Sequence, residues 1–395
     1  MGKTFWIYLG TIMLAILIGF GLIQAADEKP TFDLKWYGYL KLDGAYDQNL
    51  TSHGNFVMWI QPKGYDKNDD QFNMTANETR LGLVLNGNGY KHVEVTGKFE
   101  CDLYGGVTGA TTVENKPLLM LRHAYFTMKS GHTMVLAGQS WDLVSPLNPS
   151  TLNYSVLWGC GNIGYRRPQV SLWQTFKPSQ RTEVTMATGF FRNMGNDLTP
   201  TFTLETGEVS EGSDDGTDAG IPTFQGLLEV KSNSASGASF RTGISGLWGQ
   251  LKAETTLGKS KTYESWATAG HLMISPSAKF GFSGEAYTGS NLGSYMGGIL
   301  RNSEIKGLKT KGGWGSLWLK PTAKIKLSGG AGLDDPDDND FTSGRSKNTC
   351  YYGNVSYSVV PNATIGFELS HWQTDYKNSK SAKNTRGQTS FILNF

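Results

Sequence analysis

From residue 34 onward the chain repeats one pattern: about ten residues alternating apolar with polar, a turn, then another such stretch. The alternation predicts strands near 35–46, 78–87, 90–103, 118–129, 132–140, 169–177, 180–192 and 222–232. Further strands are expected near 239–249, 262–274, 277–288, 312–321, 323–332, 349–359, 361–372 and 383–395. Between them short and long connections alternate. The short ones include Asn86-Gly87-Asn88-Gly89, Ser130-Gly131, Pro178-Ser179, Ser275-Pro276 and Val360-Pro361. The long ones, near 47–77, 104–117, 141–168, 193–221, 250–261, 289–311, 333–348 and 373–382, are dense in Gly, Asp, Asn, Ser and Thr.

An even number of strands, with short turns at one end and long loops at the other, predicts an all-β fold: an up-and-down antiparallel transmembrane barrel of sixteen strands. Within 91–103, Val93, Val95, Phe99 and Leu103 share one face, and Glu94, Lys98, Glu100 and Asp102 the other. In such a barrel the apolar face meets lipid and the charged face lines water. A soluble multi-domain β protein alternates in the same way, with its apolar face inward. The final strand favours the barrel, since Phe391, Leu393 and the terminal Phe395 fall on one face. A C-terminal Phe on an alternating strand resembles the signal read by the outer-membrane barrel-assembly machinery. Only a closed sheet satisfies all its backbone groups in hydrocarbon.

Composition sharpens this picture. Glycine is abundant, 50 of 395 residues, while only 38% are hydrophobic and 12% are aromatic, which disfavours helix-rich folds. The net charge of +2, with no basic cluster, argues against a nucleic-acid partner. Residues 1–26 read as a secretory signal peptide: Lys3, the apolar run 5–23, then Gln24-Ala25-Ala26. That leaves 27–395 as the barrel domain, in the outer membrane of a Gram-negative-type bacterium. Three widely spaced cysteines, Cys101, Cys160 and Cys350, form no CxxC motif. The six histidines include no HExxH, and no nucleophile elbow is present, so neither an enzyme nor a cofactor is expected. The acidic run Asp334 to Asp340 lacks EF-hand spacing and reads as a solvated loop.

Sixteen strands enclose an aqueous lumen that side chains cannot fill, so passive diffusion of small hydrophilic solutes is the expectation. Residues 27–34 are too few for a plug. The loop 141–168 carries Trp141, Tyr154, Trp158, Tyr165, Arg166 and Arg167, and is expected to fold inward as the constriction. Arg80, Lys98, Arg122, Arg181, Lys324, Lys326 and Arg386 add a positive lumen strip, because rings of cations select anions. Asp43, Glu94, Glu100, Asp102, Glu183, Glu285 and Glu368 face the same way. Each of these charges reads either as a paired wall residue or as a solute contact. A channel for sugars or other uncharged nutrients, and a non-conducting adhesion barrel, remain alternatives.

Gly138-Gln139-Ser140-Trp141, the Pro-bearing loop, and Arg166-Arg167-Pro168-Gln169-Val170 resemble the DcaP-like porins. Leu121-Arg122-His123-Ala124-Tyr125 supports the match, which spans about residues 78–192. The resemblance implies a trimeric sixteen-strand channel in outer-membrane lipid, favouring small anionic solutes such as dicarboxylates. It also implies Arg122, Arg166 and Arg167 as pore cations. Some members carry a periplasmic coiled coil before the barrel, for which residues 27–34 leave no room, so trimerisation by that device is not expected.

Overall fold

A computed structural model describes residues 32–62, 69–90, 92–105, 117–195, 202–203, 209–210, 215–235, 237–256, 259–301 and 307–395. The expected signal peptide, 1–26, lies outside the described residues.

The first half of the sheet comprises β1 (Phe32–Asp47), β2 (in two pieces, Gln71–Thr75 and Arg80–Tyr90), β3 (Val93–Asp102) and β4 (Met120–Ser130). It continues with β5 (Thr133–Trp141), β6 (Arg166–Ser179), β7 (Thr182–Phe191) and β8 (Thr223–Asn233). The second half comprises β9 (Ser239–Thr256), β10 (Lys259–Ser277), β11 (Phe280–Ser290) and β12 (Lys309–Leu319). Last come β13 (Ile325–Pro336), β14 (Gly344–Val360), β15 (Ala363–Lys377) and β16 (Ala382–Asn394). Both pieces of β2 pair with the same edge of β1, Asp43 opposite Thr75 and Tyr39 opposite Arg80, so they count as one interrupted strand. Each strand pairs antiparallel with the next, and Leu42 opposite Phe391 closes the ring between β1 and β16. All sixteen strands expected from the alternation are present among the described residues.

Closure explains the inverted surface. Along β15, Phe367 and Leu369 are 49% and 54% exposed while the alternate residues Glu368 and Ser370 are buried. Leu34, Trp36, Ile244, Leu317, Phe391 and Phe395 are likewise exposed. Such an apolar outer face is stable only against lipid. This is the architecture of a Gram-negative outer-membrane barrel.

Four local readings are corrected. The expected loop 250–261 is largely strand: beyond Trp248 and Trp266, β9 and β10 pair only with each other, up to Thr256 opposite Lys259. A hairpin that rises past its neighbours is free of the lipid-and-water alternation, so the pattern fades there. Arg181 and Lys324, expected in the lumen, lie exposed at the short turns that follow β6 and β12. Asp334 belongs to β13 and is buried, accepting from Ile299 N (3.0 Å) and Thr310 Oγ1 (2.9 Å), so the acidic loop is shorter than expected. Strict alternation on β4 also fails. Glu100 faces His123 and Cys101 faces Leu121, so Arg122 is an inserted residue. The bulge turns Arg122 and His123 both inward.

Gly138, opposite Tyr125, has φ +125°, and a Cβ there would lie 2.2 Å from the Ala124 carbonyl oxygen. Gly138→Ala is expected to cost about 3 kcal/mol or more. The heat-modifiable folded band should then be lost on unboiled gels; wild-type recovery of that band would refute the close-approach argument.

Candidate pore constriction

Loop 3, residues 142–165, runs inside the barrel, with Leu143, Val144, Leu147, Leu157, Cys160 and Ile163 buried. From 143 to 165 it has no charged side chain, so its backbone must find partners on the wall. Glu285 of β11 accepts from Leu147 N (2.8 Å) and the Ser145 hydroxyl. Glu368 of β15 accepts from Leu152 N (2.6 Å) and Asn153 N (3.3 Å). Lys41 and Gln388 both donate to Leu152 O, at 3.0 Å each. At the loop's root Asp142 accepts from Tyr165 N (2.9 Å), and its carboxylate lies 2.8 Å from Arg167 Nε.

Two further loops enter the barrel, which the sequence reading did not anticipate. Val57 of loop 1 (48–62) exchanges hydrogen bonds with the Asn153 amide (3.1 and 2.9 Å), and Asn348 donates to Met58 O and Gly159 O. In loop 6 (291–301), Met296 O and Tyr295 O accept from Gly159 N and Gly164 N, each at 2.8 Å. Their signal lay in the apolar runs Phe56-Val57-Met58-Trp59-Ile60 and Ile299-Leu300, which are out of place in hydrated loops. His53 in loop 1 stacks on Phe56, with ring centroids 4.7 Å apart. Burial, aided by the Arg345 charge, lowers its pKa to about 4.

Between loop 3 and strands β1 to β5 lies a cavity of about 380 Å³, lined among others by Tyr39, Glu78, Arg80, Lys98, Glu100 and Arg122. The acids are recessed. Glu100 takes Arg122 Nε (2.7 Å) and the Tyr37 hydroxyl (2.7 Å), while Asp102 takes Arg122 Nη1 (2.8 Å). Glu78 is held by Lys41 and the Tyr39 hydroxyl. Arg80 and Lys98 reach Glu100 only at 3.7 and 3.4 Å. Their side chains are 21% and 26% exposed, against 6% for Glu100 and 0% for Asp102. The cations therefore stand nearer the water than the acids that balance them.

Six of the nine cations singled out in the sequence differ in their partners here. Arg80 and Lys98 face the cavity, whereas Arg122 lines it but is locked between two carboxylates. Arg167 and Arg386 are fully buried, the first against Asp142 and the Tyr295 ring, the second 2.6 Å from Asp47. Arg166 is buried against the rings of Tyr165 (4.5 Å) and Trp141 (4.7 Å). Among the described residues none of its three guanidinium nitrogens has a hydrogen-bond partner. The cavity residues that sequence reasoning missed are Tyr39, Glu78 and His123. Glu78 enters because β2 breaks at 76–79, and His123 because of the bulge. Cys101, Cys160 and Cys350 are buried free thiols.

A closed sixteen-strand barrel, apolar outside and narrowed by an inward loop, defines the outer-membrane porin class. Among solved structures the fold matches the outer-membrane channel DcaP of Acinetobacter baumannii (TM-score 0.69, 21% identity, 92% of this chain and 97% of that one). It also matches an anion-selective porin from Comamonas acidovorans (TM-score 0.56, 10% identity, 92% and 100%). Pseudomonas putida OprB is similar as well (TM-score 0.51, 10% identity, 92% and 94%). No protein-family model matches the chain, and no curated protein matches it in sequence.

Replacing Glu285 and Glu368 together by Ala leaves buried loop 3 N–H groups unpaired, at about 1–3 kcal/mol each. The expected result is larger, noisier single-channel conductance, and unchanged traces would show that the carboxylates do not hold the loop. A histidine whose pKa is lowered by folding contributes stability that is full above about 6.5 and is lost as pH falls toward 4. The protection of loop 1 amides, after division by the intrinsic pH-dependent exchange rate, should fall over that window in the wild type. In His53→Phe it should stay flat, and an equal acid response in that variant would rule out His53 as the cause.

Proposed function

We propose that the chain is a passive outer-membrane diffusion channel that prefers small anionic solutes, dicarboxylates among them. The observation that carries this reading is the layering at the constriction: Arg80 and Lys98 project toward the cavity while Glu100 and Asp102 lie beneath. Across from them residues 143–165 of loop 3 carry no charge, and the loop takes Glu285 and Glu368 of the wall into its own hydrogen bonds. Lys326 adds a cation on the lumen wall, 3.2 Å from the Ser150 hydroxyl. A permeating anion thus meets cations first, which lowers its entry barrier relative to a cation's. Behind them Arg166 adds buried positive charge, while Arg122, Arg167 and Arg386 are each paired with carboxylates and brace the wall.

Assembly as a homotrimer and insertion by the barrel-assembly machinery through Phe395 complete the reading. In support, the barrel is similar to an outer-membrane protein of Vibrio cholerae solved in trimer form (TM-score 0.53, 12% identity). Phe395 is exposed at the β16 edge, where Gly38 exchanges backbone hydrogen bonds with it.

Planar-bilayer recording under a KCl gradient tests the selectivity. The wild type should give an anion-favouring reversal potential, and Arg80→Ala with Lys98→Ala should move it by at least about half toward zero. Arg122→Ala should instead destabilise the folded barrel by about 3–5 kcal/mol, since it strands two buried carboxylates. A wild-type reversal potential at zero or favouring cations would overturn the proposal.

A further inference from the structure

The cavity has two unlike sides. Arg80, Lys98 and Arg122 belong to the barrel wall, whereas Tyr154 of loop 3 and Trp141 at its root add half-buried aromatic surface opposite, with Trp158 buried against them. These rings are braced edge to face. Tyr154 and Trp158 have centroids 6.1 Å apart at 83°, and Trp158 and Tyr165 lie 5.2 Å apart at 67°. The panel is therefore rigid before any solute arrives.

Arg166 sits behind it, with Cζ 4.7 Å from the Trp141 ring centre and 5.8 Å from that of Trp158. Among the described residues its nitrogens lack hydrogen-bond partners, and its charge lies against the π faces of Trp141, Trp158 and Tyr165. A cation on one face of an indole draws electron density toward itself. The opposite face is left better suited to an electron-rich ring that carries a negative charge. Two buried nitrogens of cavity-lining side chains, Trp158 Nε1 and His123 Nδ1, also have no partner. Tyr39, on whose ring Arg80 rests at 5.0 Å, extends the aromatic surface to the cationic side.

We propose that this cavity is a subsite for aromatic carboxylates: the carboxylate pairs with Arg80 and Lys98 while a planar ring lies against Tyr154 and Trp141. The proposal rests on the anion-channel reading and narrows its solute class. A purely aliphatic anion satisfies the cations and leaves the panel unused. An uncharged aromatic does the reverse.

The test records single channels of the full chain with benzoate or cyclohexanecarboxylate added, two monoanions of similar size that differ in aromaticity. Benzoate should block at a concentration about fivefold lower, the size of effect an aromatic pair contributes. Tyr154→Leu should bring the ratio close to one. Where that variant yields no folded barrel, Tyr39→Leu, on the wall rather than the loop, should lower the ratio at least about twofold. Equal block by the two anions, in a wild-type channel that still favours anions in KCl, overturns the subsite and leaves the channel reading standing. Loss of the KCl preference overturns the channel reading itself. A fivefold ratio that survives both substitutions places the discrimination elsewhere and also overturns the subsite.

Discussion

The demand that every backbone polar group find a partner governs this molecule twice. In the wall the demand is met by strand pairing, and the β1 to β16 seam removes the last free edge. Inside the lumen it recurs for loop 3, which crosses the barrel without regular structure of its own. There the partners are side chains of the wall. Glu285 and Glu368 act as fixed acceptors for N–H groups of the loop, and Lys41 and Gln388 as donors to its carbonyl at Leu152. The loop's position follows from these bonds more than from apolar packing alone.

The same bonds shape the electrostatics. A carboxylate that accepts two donors of the loop has its charge partly offset by their dipoles and covered by the loop, so anchoring also weakens the negative potential it shows the lumen. On the other side Arg122 does the reverse service. It draws Glu100 and Asp102 inward and leaves Arg80 and Lys98 outermost. Formal charge near the cavity is close to balanced: Lys41, Arg80, Lys98 and Arg122 against Asp43, Glu78, Glu100 and Asp102. Selectivity therefore depends on depth rather than on the sum.

The strands were readable because lipid outside and water inside impose a period of two on each membrane crossing. Phe367, Glu368 and Leu369 show the contrast residue by residue. Readability ended where that constraint ends, in the β9–β10 hairpin and at the turns holding Arg181 and Lys324. The inward path of loop 3 was visible in its aromatic content. The entries of loops 1 and 6 announced themselves through apolar runs that were passed over. For the site, side-chain type identified the cations but not their partners. The pairing of Arg386 with Asp47 joins residues 339 positions apart, a contact made only by barrel closure. The inward turn of both Arg122 and His123 depends on one inserted residue, which alternation alone does not reveal.

Because wall side chains hold the main chain of loop 3 at Leu147, Leu152 and Asn153, the few loop side chains that face the cavity are not what fixes its path. Tyr154, half-buried at the cavity, can be exchanged during divergence while the path that carries it stays in place. Such a scaffold lets related barrels acquire new diets by drift in one uncharged segment, with the charged frame inherited intact.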